Sequence, residues 1–327
     1  MKKPNTQDIF NIRSEADFVK VALEVFRYQF KCNDTYRSFC DLLYIHPSEV
    51  RTIRDIPFLP IQFFKTREVI SGTDTPAISF TSSGTTGSIT SKHHVIDLEV
   101  YEQSFVTQFE RTYGPITEYT ILALLPSYLE REGSSLIYMA QHLIERSKDA
   151  HSGFYLKDLD TLSRKLTQLD ASGKKVLLLG VSFALLDLVE KSTFNLKNTT
   201  VMETGGMKGR RKEMIRVELH HVLQSGFGIP TIHSEYGMTE LLSQAYAAGE
   251  RFISPPWMRV IAREPEDALT LLDHDRTGGL NVIDLANIDS CAFIATQDLG
   301  KTYADGTFTV AGRFDASDIR GCNLMAL

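Results

Sequence analysis

The chain has 327 residues, 43% of them apolar and 23% charged, with 35 Lys and Arg against 41 Asp and Glu. A formal charge of −6 lacks the basic excess of a nucleic-acid platform, and four scattered cysteines without a CxxC pair support neither a disulfide framework nor a cysteine zinc site. The opening MKKPNTQDIF has no apolar core for a secretory signal, and the greasiest run, Val176–Val189, is interrupted by Ser182 and Asp187. It falls short of the roughly 20 residues a membrane span needs, so a cytoplasmic protein without a membrane span is expected.

In chain order, Ser14 and Asp17 form an S-x-x-D capping box ahead of Phe18, Val21, Ala22, Val25 and Phe26 at helical spacing. IPFLPIQFF (56–64) carries two prolines and predicts an extended apolar segment. Ala77–Thr81 and Thr120–Leu125 predict buried strands, and Leu98, Tyr101, Phe105 and Phe109 one helix face. Ser134 or Ser135 caps a further helix, and Leu156, Leu159, Leu162, Leu166 and Leu169 form a stripe stopped by Gly173. Val176–Gly180, Thr199–Glu203 and Thr231–Ser234 predict strands; Met214, Val217 and Val222 mark a helix ended by Gly226. Strands alternating with helices mean an α/β core with a largely parallel sheet. The last third changes character: Met258–Ala262, Leu269–Leu272, Gly279–Ile283, Cys291–Ala295 and Phe308–Val310 are short strands between Asp/Gly turns, a small β-rich subdomain.

Two segments carry chemistry. The run Thr81, Ser82, Ser83, Gly84, Thr85, Thr86, Gly87 follows a strand and combines hydroxyl donors with glycines that let backbone amides approach phosphate oxygens. It lacks the Gly-Lys-Ser/Thr of a Walker loop, and read alone it also fits a polar surface loop. His233-Ser-Glu-Tyr-Gly-Met-Thr-Glu240 places an aromatic ring, a glycine, a hydroxyl and a carboxylate within five residues. Tyr236 suits a nucleobase, Thr239 a phosphate and Glu240 a magnesium ion; read alone, a loop with a capping threonine fits equally. No Gly-x-Ser-x-Gly elbow or His-Glu-x-x-His occurs. His233 fits either a pocket wall or a satisfied core position.

Taken together these segments resemble the adenylate-forming superfamily of acyl-CoA synthetases, luciferase-like enzymes and adenylation domains. TSSGTTG (81–87) is similar to its phosphate-loop signature, and YGMTE (236–240) to its Tyr-Gly-x-Thr-Glu motif. Gly205 and Gly206 match its adenine-side glycines, TQDLG (296–300) its ribose motif with Asp298, and GRFD (312–315) its hinge motif with Arg313. The loop departs from the family where Ser88-Ile-Thr replaces Pro-Lys, leaving lysine only at Lys92. The chain ends fourteen residues after Arg313, so the resemblance implies a core like the family's N-terminal domain, with the mobile C-terminal domain missing. The ending SDIRGCNLM (317–325), with IPFLPIQFFK and LPSYLEREGSSLIYM, resembles the acyl-protein synthetase (LuxE-like) branch. That branch implies activation of a fatty acid with ATP and Mg²⁺ and transfer to a protein cysteine near the C-terminus, here Cys322, with an acyl-reductase or acyl-carrier partner. Thr239, Glu240 and Cys322 are the expected catalytic residues, with Glu240 at the metal. Tyr236, Gly237, Thr239, Asp298, Arg313, Gly205, Gly206 and the 81–87 loop are the expected nucleotide contacts. The expected organisation is an adenylating core over 1–312 and a hinge remnant with an acyl-accepting tail over 313–327. Within the core lie a helical segment to residue 70, an α/β part over 71–250 and a β-rich part over 251–312. The alternatives are an acyl- or aryl-CoA ligase with a reduced C-terminal region, a non-catalytic nucleotide-binding protein, and an acyltransferase that carries a thioester without ATP.

Overall fold

The computed structural model describes residues 2–82, 89–125, 133–156, 158–206, 211 and 214–313. The chain forms two compact units that interleave along the sequence. One takes Met1–Ser104, Thr239–Ser243 and Ile253–Leu327, the other Phe105–Met238 and Gln244–Phe252.

The first unit starts with α1 (Thr6–Phe10), α2 (Glu15–Cys32) and α3 (Asp34–Leu42). The capping box forms as its residues dictate: Asp17 N–H donates to Ser14 Oγ at 3.1 Å, and Ser14 N–H donates to the Asp17 carboxylate at 3.0 Å. The predicted stripe of α2 is buried. Leu59–Pro60 (β1) runs extended beside Ile294–Ala295, but the extended reading of 56–64 fails at its end, where α4 (Phe63–Thr66) begins. Past Pro60 the amides are free again, and Phe64 and Lys65 donate to Ile61 and Gln62. Next, β2 (Ile78–Thr81) and β3 (Lys92–Val95) form a two-stranded antiparallel sheet among the described residues, with Phe80 opposite His93. Of β2 only Phe80 is buried, not the whole strand. α5 (Leu98–Tyr113) buries Tyr101, Phe105 and Phe109.

In the second unit, β4 (Tyr119–Leu124), α6 (Ser135–Ser147), β5 (Gly153–Phe154), α7 (Leu159–Ala171), β6 (Lys175–Val181), α8 (Ser182–Lys191), β7 (Thr199–Thr204), α9 (Arg216–Phe227) and β8 (His233–Tyr236) alternate. The strands order as β5-β4-β6-β7-β8, all parallel, with β9 (Ala245–Ala248) antiparallel on β8. β4 and most of β6 are buried on both faces, which explains their unbroken apolar runs. Ser134 caps α6. Contrary to the expected stripe, α9 buries Leu219, His220, Leu223 and Phe227, and leaves Val217 and Val222 exposed. It ends at Gly228, whose φ of +68° suits glycine, and not at Gly226.

A two-residue strand, Phe252–Ile253 (β10), leads into the β-rich part of the first unit. There β11 (Met258–Arg263), β12 (Thr277–Asp284), β13 (Phe293–Thr302) and β14 (Phe308–Arg313) form an antiparallel meander. Leu269–Leu272 is not a strand and contributes only the bridge Arg263–Leu271. Asp267 takes the Leu269 amide at 3.1 Å and the Thr270 hydroxyl at 2.6 Å, closing a turn there. No helix among the described residues is long and apolar enough to cross a membrane.

Candidate active site

Thr239–Ser243 is irregular backbone, and buried polar groups of the first unit hold two of its carbonyls and two of its amides. The Thr239 carbonyl lies 2.8 Å from His93 Nδ1. The Glu240 carbonyl accepts from Asn287 Nδ2 at 2.7 Å. The Leu242 and Ser243 amides both donate to Asp284 Oδ2 at 2.9 Å, and the Ser243 hydroxyl donates to Oδ1 at 2.6 Å. Burial pushes the Asp284 carboxyl up to about 6 against these donors, and burial pushes His93 down to about 4, keeping its ring neutral. The Glu240 side chain is buried. That burial raises its pKa; a hydrogen bond from Ser91 and the positive charges of Arg313 and Lys65 pull the other way without cancelling it.

Thr81 and Ser82 sit at the end of β2. Ser82 N–H donates to the Ser91 carbonyl at 3.0 Å, and Ser91 N–H donates back to Ser82 Oγ at 2.9 Å. The stretch after Ser82 thus leaves from, and Ser91 returns to, a closed pair beside Glu240. Lys92 is exposed on the face of β3 opposite His93.

Asp298 is buried on β13, opposite Arg313 on β14, with Arg313 Nε 3.4 Å from its carboxylate. The bulge that follows needs Gly300, because a Cβ there would fall 1.9 Å from the Thr309 carbonyl. Behind Asp298 lies buried Arg263, donating to the carbonyls of Leu280 at 2.9 Å and Thr296 at 2.6 Å. Thr239, Glu240, Asp298, Arg313, Thr81 and Ser82 therefore share one unit.

Gly205, Gly206, Tyr236 and Gly237 belong to the other unit. Gly205 has φ +64°, and its carbonyl accepts from Ser182 Oγ at 2.6 Å. Burial works to raise buried Glu203, yet His220, Arg216 and Ser234 outweigh it and hold the carboxyl below its usual range. Tyr236 is buried against Phe252, ring centroids 5.7 Å apart, with the Arg216 guanidinium 4.4 Å from the Phe252 ring centre. Gly237 leaves room for Glu235, whose Oε1 would lie 2.3 Å from a Cβ there. Glu235 accepts a short bond from Thr204, and burial pushes its carboxyl up to about 7. His233 is half-buried: it meets the Tyr113 hydroxyl at 3.2 Å, and burial lowers its pKa. Cys40 and Cys291 are buried, and burial pushes both thiols up. Ser83, Gly84, Thr85, Thr86, Gly87 and Cys322 lie outside the described residues.

The motif reading missed Ser91, His93, Asp284 and Asn287. The alternation of buried Ser91, His93 and Val95 with exposed Lys92 is a strand signal that the local sequence carries. Asp284 and Asn287 lie more than 40 residues from the segment they hold, and nothing local marks them.

Comparison with solved structures decides the architecture. A 2-hydroxyisobutyryl-CoA ligase in complex with 2-HIB-AMP and CoA superposes over 96% of this chain and 73% of its own, at a TM-score of 0.68 and 12% identity. The fold is that of the adenylate-forming enzymes. ATP-bound MatB from Rhodopseudomonas palustris shares it at a TM-score of 0.55 and 17% identity over 74% of this chain. The chain spans about half the length of MatB, 49%. Within this adenylate-forming fold, residues 11–105 match the family model described as "Acyl-protein synthetase, LuxE". A "Long-chain-fatty-acid--luciferin-component ligase" from Vibrio harveyi is 23% identical over 334 residues, covering 91% of this chain and 84% of the relative.

Proposed function

We propose that the protein is an acid–thiol ligase that activates a carboxylic acid, of the fatty class, with ATP and passes the acyl group to a protein cysteine. The match to the acyl-protein synthetase model and the relative named as a long-chain fatty-acid ligase support this reading. The observation that carries it is Glu240: a buried carboxylate on a backbone segment held by Asp284, Asn287 and His93, beside the Ser82–Ser91 closure and the Asp298–Arg313 pair.

The residues present fit a magnesium ion shared with a nucleotide. Glu240 offers one hard oxygen donor, and no cluster of three or more His, Cys, Asp or Glu among the described residues forms a cage of its own. Magnesium is commonly held by one or two carboxylates together with substrate phosphates. Bound there, it would neutralise phosphate charge. Thr81 through Gly87 and Thr239 serve the phosphates, Asp298 and Arg313 the ribose, and Tyr236, Gly237, Gly205 and Gly206 the adenine. The substrate carboxylate oxygen attacks the α-phosphorus and pyrophosphate leaves, giving the acyl-adenylate. Positioning and charge stabilisation carry this step. The Cys322 thiolate then attacks the acyl carbon and AMP leaves, dividing the transfer into two easier steps. An acyl-reductase or acyl-carrier partner would take the acyl group onward.

Carboxylate-dependent ATP–pyrophosphate exchange tests the first half. Glu240→Gln is expected to lower it by about a hundredfold or more without loss of fold, since an amide suits a buried position. Unchanged exchange removes Glu240 from the chemistry, and no exchange by the wild type with any fatty or aryl acid removes the activity. Labelled fatty acid with ATP tests the second half: Cys322→Ser is expected to keep exchange and lose the hydroxylamine-sensitive label. Equal labelling of that variant moves the acyl group to another residue, and rapid acyl-CoA release by both proteins favours a CoA ligase.

A further inference from the structure

Ser91, His93 and Val95 share one buried face of the strand segment that ends at Val95. Two of them touch the Thr-Glu pair at successive points: Ser91 bonds to the Glu240 carboxylate, and His93 to the Thr239 carbonyl. The His93 ring is fixed on both edges. The Thr239 carbonyl can only accept, so Nδ1 carries the hydrogen and donates to it. Nε2 then holds a lone pair, and the Ser290 hydroxyl donates to it at 2.8 Å. Ser290 is itself immobilised: its carbonyl accepts from Asn33 Nδ2 at 2.8 Å and Ser71 Oγ at 2.6 Å, and its amide donates to Asn287 at 3.1 Å. Phe64 packs edge-on against the ring at 5.6 Å between centroids. One hydrogen bond thus links an anchored scaffold to the residue that precedes the carboxylate.

We propose that His93 is a positioning residue for the Thr239–Glu240 pair, setting the backbone that carries the carboxylate through its Nδ1 hydrogen bond to the Thr239 carbonyl. The kinetic part of the test rests on the proposed activity; the amide-exchange part stands without it. Asparagine carries an amide nitrogen donor as many bonds from the backbone as Nδ1, and glutamine an amide oxygen acceptor as many as Nε2. His93→Asn therefore keeps the bond to Thr239, whereas His93→Gln keeps only the Ser290 side. A residue that merely fills the core would favour glutamine, the closer in volume.

Amide hydrogen exchange of the segment 236–243, without ligand, is expected to match wild type in His93→Asn and to speed up about tenfold in His93→Gln, the scale of one lost buried hydrogen bond. In pyrophosphate exchange, His93→Gln is expected to lower kcat about tenfold with the KM for the acid shifted less than about twofold, while His93→Asn stays within about threefold of wild type. Should either variant fail to fold, Ser290→Ala leaves His93 in place but unanchored, and is expected to speed exchange of 236–243 to a smaller degree. Equal exchange of that segment in the two His93 variants, or unchanged exchange in Ser290→Ala, overturns the proposal. A wild type without pyrophosphate exchange defeats the proposed activity and leaves the amide comparison to decide on His93.

Discussion

Glu240 sits where burial works against its charge. The fold accepts that cost on a segment with little freedom to relax. Asp284 gathers the Leu242 and Ser243 amides, the Ser243 hydroxyl and the Ala286 amide at 3.2 Å, while Asn287 takes the Leu242 amide at 3.0 Å and donates to the Glu240 carbonyl. A carboxylate on so constrained a backbone is oriented by the fold itself, and in the proposed function that is the condition under which electrostatic stabilisation is effective. Thr239, Glu240 and Asp298 are legible from sequence because each lies in a short motif. Gly300 is legible in the same motif, and the structure supplies its reason in the Thr309 carbonyl. His93 is not legible as a site residue, because adjacency to His94 suggests nothing until the strand turns one ring inward and leaves the other at Ser79, 2.7 Å away.

At the scale of elements, periodicity identifies a helix more surely than it identifies the buried side. In α2 the capping box fixes the start and only one stripe is apolar, so sequence and structure agree. In α9 two sets compete. Val217 and Val222, five residues apart, stand well over 90° apart round the helix and share no face, whereas Leu219, Leu223 and Phe227 recur every four residues and form the buried one. Gly226 belongs to that packing and does not end the helix: a Cβ there would lie 2.4 Å from Cβ of Val189 on α8. Alanine at 226 gains up to about 1 kcal/mol of helix propensity, but overpacking costs about 1–3 kcal/mol, so Gly226→Ala is expected to destabilise. The contact is specific to one partner. Val189→Gly, which removes that Cβ, combined with Gly226→Ala should therefore cost less than the two changes summed, by about 1 kcal/mol. Urea denaturation of the four proteins in the cycle checks it, and strict additivity would mean that the α8–α9 contact does not set the identity of residue 226.

At the scale of the whole molecule, the interleaving of the two units is the feature least visible in sequence. Thr239–Ser243 is a short excursion of the chain into the first unit, flanked on both sides by residues of the second, and no composition shift marks it. The same molecule stores opposed pH dependences in its buried groups. Glu235, raised from 4.5 to about 7, and Asp284, raised from 3.8 to about 6, hold protons more tightly folded than unfolded. Their contribution is fully present below the unfolded value and is lost as pH rises through the folded one. His93, lowered from 6.5 to about 4, does the reverse: its contribution is present above 6.5 and is lost as pH falls toward 4. Near neutrality Asp284 and His93 have largely finished titrating, so Glu235 dominates the slope among these three. Facing it are the Thr204 hydroxyl, the charge of Glu203 and the Tyr113 phenol. Glutamine at 235 can still accept from Thr204 but cannot ionise. Glu235→Gln is therefore expected to gain stability relative to wild type between about pH 5 and about pH 8, on the order of 1–3 kcal/mol. Denaturant midpoints of both proteins across that range measure the difference. Two curves that run parallel through pH 7 would show that the Glu235 carboxyl titrates alike in the folded and unfolded chains.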